Sequence, residues 1–429
     1  LRAPNCFALW PNITKNCYLQ LLDEYLRKVS TVNDYDNVAS VSDFTEPLIG
    51  ELIDFRRELH RNPELSFAEH QTTERILERL RSAGLSPQKM TNTGAYVDIG
   101  EGPIRIAFRA DIDALPVIEE TDLEYCSLVE GVAHACGHDI HTTVMLGVAL
   151  SLGRFNEAGL LNGRVRVIFQ PAEEKLPGGA LSVIEQGLLD EVPRVLALHC
   201  DPRIDAGHIG TRIGAITSAS DTIRIEVNGH GGHTSRPHLT EDIVFAMSQI
   251  ATQVPAVLGR KVDVRSAVSV VWGQIHAGSA PNAIPATGYL AGTMRCLDGD
   301  IWYEAGELLD NVVRQIAAPY GVEIKLQHTR GVPPVVNAPA ETALIEDAAR
   351  REFGAEAIEL TPQSMGGEDF AWMTQKVPGA MLRLGTRTPG GKTYDLHRGD
   401  YMPDESCIGI GVRIMTAAAM QAVREANAK

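Results

Sequence analysis

A chain of 429 residues, 44% hydrophobic and 22% charged, reads as a globular protein too long for a single ordinary core, so two domains are expected. Its formal net charge of −16 argues against nucleic acid and anionic membrane as partners, because both need basic surface. Seven scattered cysteines without a CxxC pair argue against a disulfide framework or a zinc knuckle and fit a reducing cytoplasm, and no apolar run reaches the ~18–20 residues of a membrane span.

Residues 1–43 differ from the remainder and read as an appendage, with a short helix over 19–29 and a polar linker after it. The chain starts at Leu1 rather than Met, which reads as a trimmed N-terminus, and "LRAPNCFALWPNITKN" lacks the basic start and apolar core of a signal peptide. The sequon Asn12-Ile13-Thr14 is therefore discounted. From residue 44 the signals become regular. Apolar residues at 48, 49, 52, 55 and 59 repeat at helical spacing behind Thr45 and Pro47, and a second helix from Ala68 stops at Gly84. "AYVDIG", "IRIAFRAD", "RVRVIFQPAEE" and "RVLALHCD" then read as strands alternating with helices over 142–155 and 178–189. That alternation predicts an α/β layer fold with a largely parallel sheet.

Near residue 218 the pattern changes. The runs beginning at Asp221, Glu241, Ser266, Ala286, Gly299 and Val322 give the order β-α-β-β-α-β, the split βαβ, ferredoxin-like unit. From about 331 the chain returns to αβ character, with a strand over 379–386 and a final helix over 407–427. The expected organisation is an N-terminal appendage (1–43), an α/β domain built from 44–217 and 331–429, and an inserted ferredoxin-like domain (218–330).

Groups able to bind metal cluster at predicted strand ends, where open α/β sheets bind ligands. "FRADIDALP" carries Asp111 and Asp113, "FQPAEE" carries Glu173 and Glu174, "LALHCD" carries His199, and His397 follows the last strand. In "HACGHDIH", Cys136 and His138 would diverge by about 200° on a helix, so they converge only from a loop, which Gly137 permits. Two ligands cannot complete a site that needs about four. Glu174, His199 and His397 stand where they could supply the rest. At a strand end, Glu173 and Glu174 would face opposite ways, leaving one for metal and the other for substrate as general base. Each residue also has an ordinary structural reading: a hydrogen-bonded histidine, a solvated glutamate, a small buried cysteine. Their gathering at one sheet mouth favours chemistry. His60, His70, His208, His276 and His328 lack such placement and are read as structural.

Taken in order, "FRADIDALP", "HACGHDIH", "FQPAEE", "GHGGHTSRPH", "APNAIP", "GGEDFA" and "HRGDYMPDE" closely resemble the aminoacylase and hippuricase family of metallopeptidases. The match is best to its amidohydrolase subgroup of hippurate hydrolases, N-acyl-amino-acid deacylases and auxin-conjugate hydrolases, and it covers residues 44–429. The resemblance implies a mixed-sheet α/β catalytic domain with an inserted ferredoxin-like lid and dimerisation domain. It implies that Cys136, His138, Glu174, His199 and His397 ligate two divalent ions (Mn, Zn, Co or Ni), Cys136 replacing a bridging aspartate. Glu173 takes the place of the general base. His233 matches a histidine that stabilises the oxyanion in the partner subunit's site, so a homodimer is expected, with closure hinged at 218–220 and around Gly331. His230 stands where a lysine is usual, and no role is carried over to it. Asn282 and Arg295 are candidates for gripping the product carboxylate; the alternative for Arg295 is a surface ion pair. Asp111 and Asp113 are expected behind the ligating histidine. The expected activity is hydrolysis of N-acyl amino acids to a carboxylic acid and an amino acid, with a dipeptidase or carboxypeptidase as the alternative. A cysteine-nucleophile hydrolase using Cys136 and a non-catalytic binding protein are two further readings.

Overall fold

The computed structural model describes residues 40–427. The chain forms two compact units, Leu1–Asp43 and Phe44–Lys429. The expected helix over 19–29, Cys6, Cys17 and the sequon lie outside the described residues.

The second unit begins with helices α1 (Ile49–Arg61) and α2 (His70–Ser82). An eight-stranded mixed sheet comes next in the chain, built from β1 (Gln88–Lys89), β2 (Ala95–Ile99), β3 (Ile104–Asp111), β4 (Arg164–Gln170), β5 (Val195–Asp205) and β6 (Ile209–Thr211), with two later strands. Those are β15 (Ile358–Leu360) and β16 (Gly379–Arg387), and the order is β1-β2-β4-β3-β5-β16-β6-β15. Strands β4, β3, β5 and β16 run parallel at its centre. They are buried on both faces, which explains their nearly unbroken apolar runs. Helix α3 (His138–Glu157) is buried almost all round, because it packs between the sheet, α1 and the last helix.

That last helix, α9 (Ser406–Asn427), is long and apolar enough by composition to cross a membrane, contrary to the expectation drawn from unbroken apolar runs. Its most apolar window is 72% buried against α1, α3 and β16, so its hydrophobicity serves the core.

Between β7 (Gly214–Ala215) and its partner β14 (Val336–Asn337) the chain leaves this sheet and forms another. Its strands are β8 (Ala219–Asn228), β10 (Ser269–Ala277), β12 (Thr287–Cys296) and β13 (Glu323–Val332), ordered β10-β12-β8-β13 and antiparallel throughout. Helices α5 (Ile243–Lys261) and α6 (Gly299–Ala317), numbered after the short α4 (Ala180–Glu185), bury Ile250, Val254, Leu309 and Val313 against β8 and β12. A separate two-stranded antiparallel sheet of β9 (Gly232–His233) and β11 (Ala283–Ile284), with α5 and β10 between them in the chain, stands apart from the four strands. The stretches expected to hinge are not loops. Ser220 and Gly331 belong to β8 and β13, and Ser220 pairs with Val332 beside a bulge. The remaining helices are α7 (Pro339–Phe353) and α8 (Phe370–Lys376).

Two placements differ from expectation. His199 is mid-strand, because β5 keeps pairing with β16 as far as Asp205; only its ladder with β3 stops, at Ala197. Glu173 and Glu174 lie in the loop after β4, not on the strand, so side-chain alternation is not what separates them.

Candidate metal centre

The centre starts with a sharp turn. Gly137 has φ +88°, in the left-handed region, and a Cβ there would lie 2.9 Å from Cys200 Sγ. The turn leaves Cys136 just outside α3 and makes His138 its first residue. His397 joins from the last loop, its N–H donating to Ala135 O at 2.8 Å. Ala172 and His397 both hold positive φ, at 54° and 64°, a conformation costly for residues with a Cβ and commonest at functional sites.

The two adjacent glutamates share one backbone cradle. Asp113 accepts the Glu173 N–H at 3.1 Å, the Glu174 N–H at 3.0 Å and the Ser66 hydroxyl at 2.6 Å. From that cradle Glu174 Oε1 comes within 3.8 Å of His138 Nε2 and 3.3 Å of His397 Nε2. Glu173 stands between two groups: its carboxylate lies within 4.8 Å of potential ligand atoms of His138 and Glu174, and likewise of Glu368 and Asp369.

Potential ligand atoms of Cys136, His138 and His199 lie within 4.8 Å of one another, as do those of Cys136, Glu174 and His397. His138 Nδ1 donates to the main-chain oxygen of Asp113 at 3.0 Å, and His199 Nδ1 donates to that of Cys200 at 2.8 Å. Each main-chain bond occupies Nδ1 and turns Nε2 inward. His138 Nε2 and Glu174 Oε1 are buried without a hydrogen-bond partner. Buried lone pairs without donors are costly, and a cation is the group that satisfies them.

The surrounding carboxylates favour positive charge here: burial opposes protonation of His138, yet Asp111, Asp113 and Glu174 push it up to about 10, so a bound ion would take the place of the Nε2 proton. Burial, with Arg383 and His141 nearby, holds His199 well below the usual imidazole range, in its neutral ligating form. Burial, then Glu174, Glu173 and Asp111, pushes the Cys136 thiol up. Burial, then Glu368, Glu174 and Asp369, pushes Glu173 up as well.

Behind this layer lies a polar network. Arg109, fully buried on β3, pairs with Asp111 and Asp369 at 2.7 Å each and with Glu368 at 3.1 Å. Gln170 Nε2 also donates to Asp369. Burial opposes the charge on Asp111, but His138, His141 and Arg109 hold it well below the carboxylate range. Its Oδ1 accepts from His141 Nδ1 at 2.5 Å, and His141 Nε2 accepts the Cys200 N–H. Asp111 thus holds His141 and Arg109, and its Oδ2 is 3.7 Å from His138 Nε2. His134 is buried with neither ring nitrogen bonded, and burial pushes it down to about 4.

Sequence reasoning misses Arg109, Gln170, Glu368 and Asp369, and reads His134 and His141 as structural; His141 is bonded to Asp111 and to the Cys200 N–H. In "GGEDFA" the glycines draw the eye first, and an arginine inside a buried strand gives no signal until its partners are placed. Arg295 is half-buried and lines the cleft of about 420 Å³ that contains Cys136, Glu173, His199 and His397. Among the described residues no ion pair reaches it. His233 and Asn282 do not line that cleft. They sit together, His233 on β9 and Asn282 beside β11, with Thr234 N–H donating to Asn282 O at 3.2 Å. His230 is exposed and bonded to Glu241.

Residues 107–421 match the family model described as Peptidase family M20/M25/M40. The chain belongs to that family. A Bacillus subtilis N-acetyl-L-cysteine deacetylase is 35% identical over 89% of this chain and 89% of its own length. Thermostable carboxypeptidase 2 of Saccharolobus solfataricus is 34% identical over 88% and 95%. A Rhodococcus jostii protein carrying a glutamate–cysteine ligase name is 44% identical over 85% of the chain, which spans only 46% of that relative's length. Among M20 structures, a Bacillus subtilis dinuclear metal binding peptidase superposes with a TM-score of 0.76 at 31% identity, covering 88% of this chain and 99% of that one. The M20/M25/M40 assignment meets the family expectation, and with it the enzyme class, a hydrolase of amide bonds.

Proposed function

We propose that the protein is a dinuclear metal-dependent amidohydrolase that splits N-acyl amino acids into a carboxylic acid and a free amino acid. One observation carries this reading: the inward Nε2 of His138 and the Oε1 of Glu174, buried without partners, face Cys136, His199 and His397, while Glu173, held by the same backbone cradle, borders this group on one side and Glu368 and Asp369 on the other. Cys136, His138, Glu174, His199 and His397 would hold two divalent ions, with Mn, Zn, Co and Ni all compatible with this donor set. Such ions lower the pKa of water towards neutrality and polarise the amide carbonyl.

The chain's own groups do the rest. Glu173, its proton affinity raised by burial and by Glu368, Glu174 and Asp369, takes a proton from the attacking water and returns it to the leaving amine. Arg295 receives the α-carboxylate, while Asn282, beside His233 and outside its own chain's cleft, would assist in the site of a second copy. His233 lies outside its own chain's cleft, which fits donation to the oxyanion in a second copy and hence a homodimer. Closure would bring the inserted layer, 218–330, over the catalytic domain formed by 44–217 and 331–429.

Cys136 lies within 4.8 Å of potential ligand atoms of His138 and His199 and, separately, of Glu174 and His397, a setting that fits a ligand better than an attacking group. The similarity to a carboxypeptidase supports peptide cleavage as the second reading, and rates on N-benzoyl, N-acetyl and dipeptide substrates compared side by side decide between them. Glu173→Gln tests the proposal directly. It is expected to keep its metal, measured by elemental analysis, and to lose about 10²–10⁴-fold in kcat. Wild-type turnover in that variant would remove Glu173 as the base.

A further inference from the structure

We infer that Arg383 anchors a second carboxylate of the substrate, so that the cleft is shaped for acidic N-acyl amino acids. The inference rests on the amidohydrolase reading above and adds the substrate class to it.

Arg383 lies on β16 directly opposite His199 on β5, in parallel register, so both side chains leave the sheet on the same face. It lines the same cleft as Cys136, Glu173, His199 and Arg295. The residue is 6% exposed, and its Nε is buried without a hydrogen-bond partner. Among the described residues no carboxylate forms an ion pair with it. Of the acids near it, Asp201 is engaged through both oxygens and Glu368 through Oε1, while Glu368 Oε2 is buried without a partner and forms no ion pair with Arg383. Asp201 accepts from Arg203 Nε at 2.9 Å, Nη2 at 2.6 Å and the main-chain N–H at 3.0 Å. Glu368 is 3.1 Å from Arg109 Nη2 and accepts the Phe370 N–H at 2.9 Å.

Arg109 provides the contrast. It is equally buried but has a carboxylate or amide on each side, as a guanidinium needs away from water. A buried, unpaired guanidinium at the wall of a cleft carries a desolvation cost that a ligand can relieve. Its planar fork matches a carboxylate through two parallel hydrogen bonds. Arg295 enters the same cleft from β12 of the other sheet, also without an ion-pair partner among the described residues. An amino acid's α-carboxylate occupies one arginine, and the second calls for another anion. That anion has two sources with the same chemistry: an acidic side chain, as in N-acetylglutamate, or an acidic acyl group, as in N-succinylalanine.

The test compares N-acetyl-L-alanine, N-acetyl-L-glutamate and N-succinyl-L-alanine on wild type, Arg383→Gln and Arg383→Lys. Wild type is expected to favour at least one of the two diacids in kcat/KM. In Arg383→Gln that preference falls about 10- to 100-fold, mainly through KM, with Arg383→Lys intermediate. The diacid that loses the preference identifies which end of the substrate meets Arg383. The thermal midpoint of Arg383→Gln should hold or rise, because an unpaired buried charge has been removed. A wild-type preference for N-acetylalanine, an unchanged ratio, or a uniform loss on all three substrates with a lowered midpoint would overturn the inference. If wild type with metal restored hydrolyses none of the panel, the amidohydrolase reading fails instead. Calorimetric titration of metal-loaded Glu173→Gln with N-acetyl-L-alanine, N-acetyl-L-glutamate and N-succinyl-L-alanine, with and without Arg383→Gln, still decides Arg383: a preference for either diacid that is lost with Arg383 supports the anchor, and equal binding of all three rejects it.

Discussion

Asp113 shows how one side chain can shape a candidate metal site through its backbone partners. Its carboxylate takes the N–H groups of both Glu173 and Glu174, while its main-chain oxygen accepts from His138 Nδ1. Burial opposes its charge, but His138, Ser66 and the Glu174 N–H hold it ionised below the usual range. Asp113→Ala should leave two main-chain donors unsatisfied and let the loop bearing both glutamates drift. The expected result is a loss of about 10–100-fold in metal affinity, read by competition with a chelator, with activity partly restored at excess metal. Unchanged affinity with abolished turnover would point to a direct catalytic part for Asp113. The sequence placed Asp111 and Asp113 behind His138 because they end a strand beside the octet. It could not divide their work, since a carboxylate's partners depend on the loop path of Glu173 and the turn of α3, neither of which is written locally. The same limit hid Arg383. Read along the chain, "MLRLG" is a strand with one charged residue, and only its register with His199 turns that residue towards chemistry.

At the scale of elements, α1 is tied to the start of α3 by a buried polar cluster. Arg56 Nε lies 2.7 Å from Asp139 Oδ2, and His60 Nδ1 lies 2.8 Å from the same oxygen, with Glu119 at 3.2 Å from His60 Nε2. Burial and Arg56 oppose protonation of His60, but hydrogen bonds to Asp139 and Glu119 raise it above the ordinary 6.5. The charged imidazole therefore stabilises the fold. That contribution is complete below about pH 6.5 and is lost as pH rises through the higher folded-state value. His60→Gln should accordingly lower the thermal midpoint most below pH 6.5, with the gap to wild type narrowing at higher pH. A gap that widens with pH would mean that His60 is held neutral. Helical spacing in α1 and the alternation of strands and helices were legible because they are periodic. The buried face of α1 carries Arg56 and His60 as well as Leu52 and Leu59, and hydrophobic periodicity says nothing about such polar insertions. Strand length escaped for a related reason: β5 persists past His199 only because β16, more than 170 residues later in sequence, supplies its ladder.

At the scale of the whole molecule the open question is where His233 acts. In one chain it stands on the β9–β11 pair beside Asn282, and neither lines the cleft that contains Cys136 and Glu173. Its Nδ1 accepts from Ser235, so Nε2 carries the ring proton and can donate to an oxyanion. If the site of one copy is completed by His233 of another, two inactive variants should rescue each other. A His233→Ala chain retains Glu173, and a Glu173→Gln chain retains His233, so a mixed dimer holds one complete site and one lacking both groups. Each variant alone should be nearly inactive, and the mixture should regain activity after subunit exchange, in step with the mixed-dimer population measured by mass spectrometry of differently tagged chains. The opposite geometry, in which closure carries His233 into its own chain's cleft, gives no rescue at any mixing ratio. An active monomer in sedimentation at assay concentration leads to that second geometry too, and would move the function of the second sheet from sharing a site to covering one.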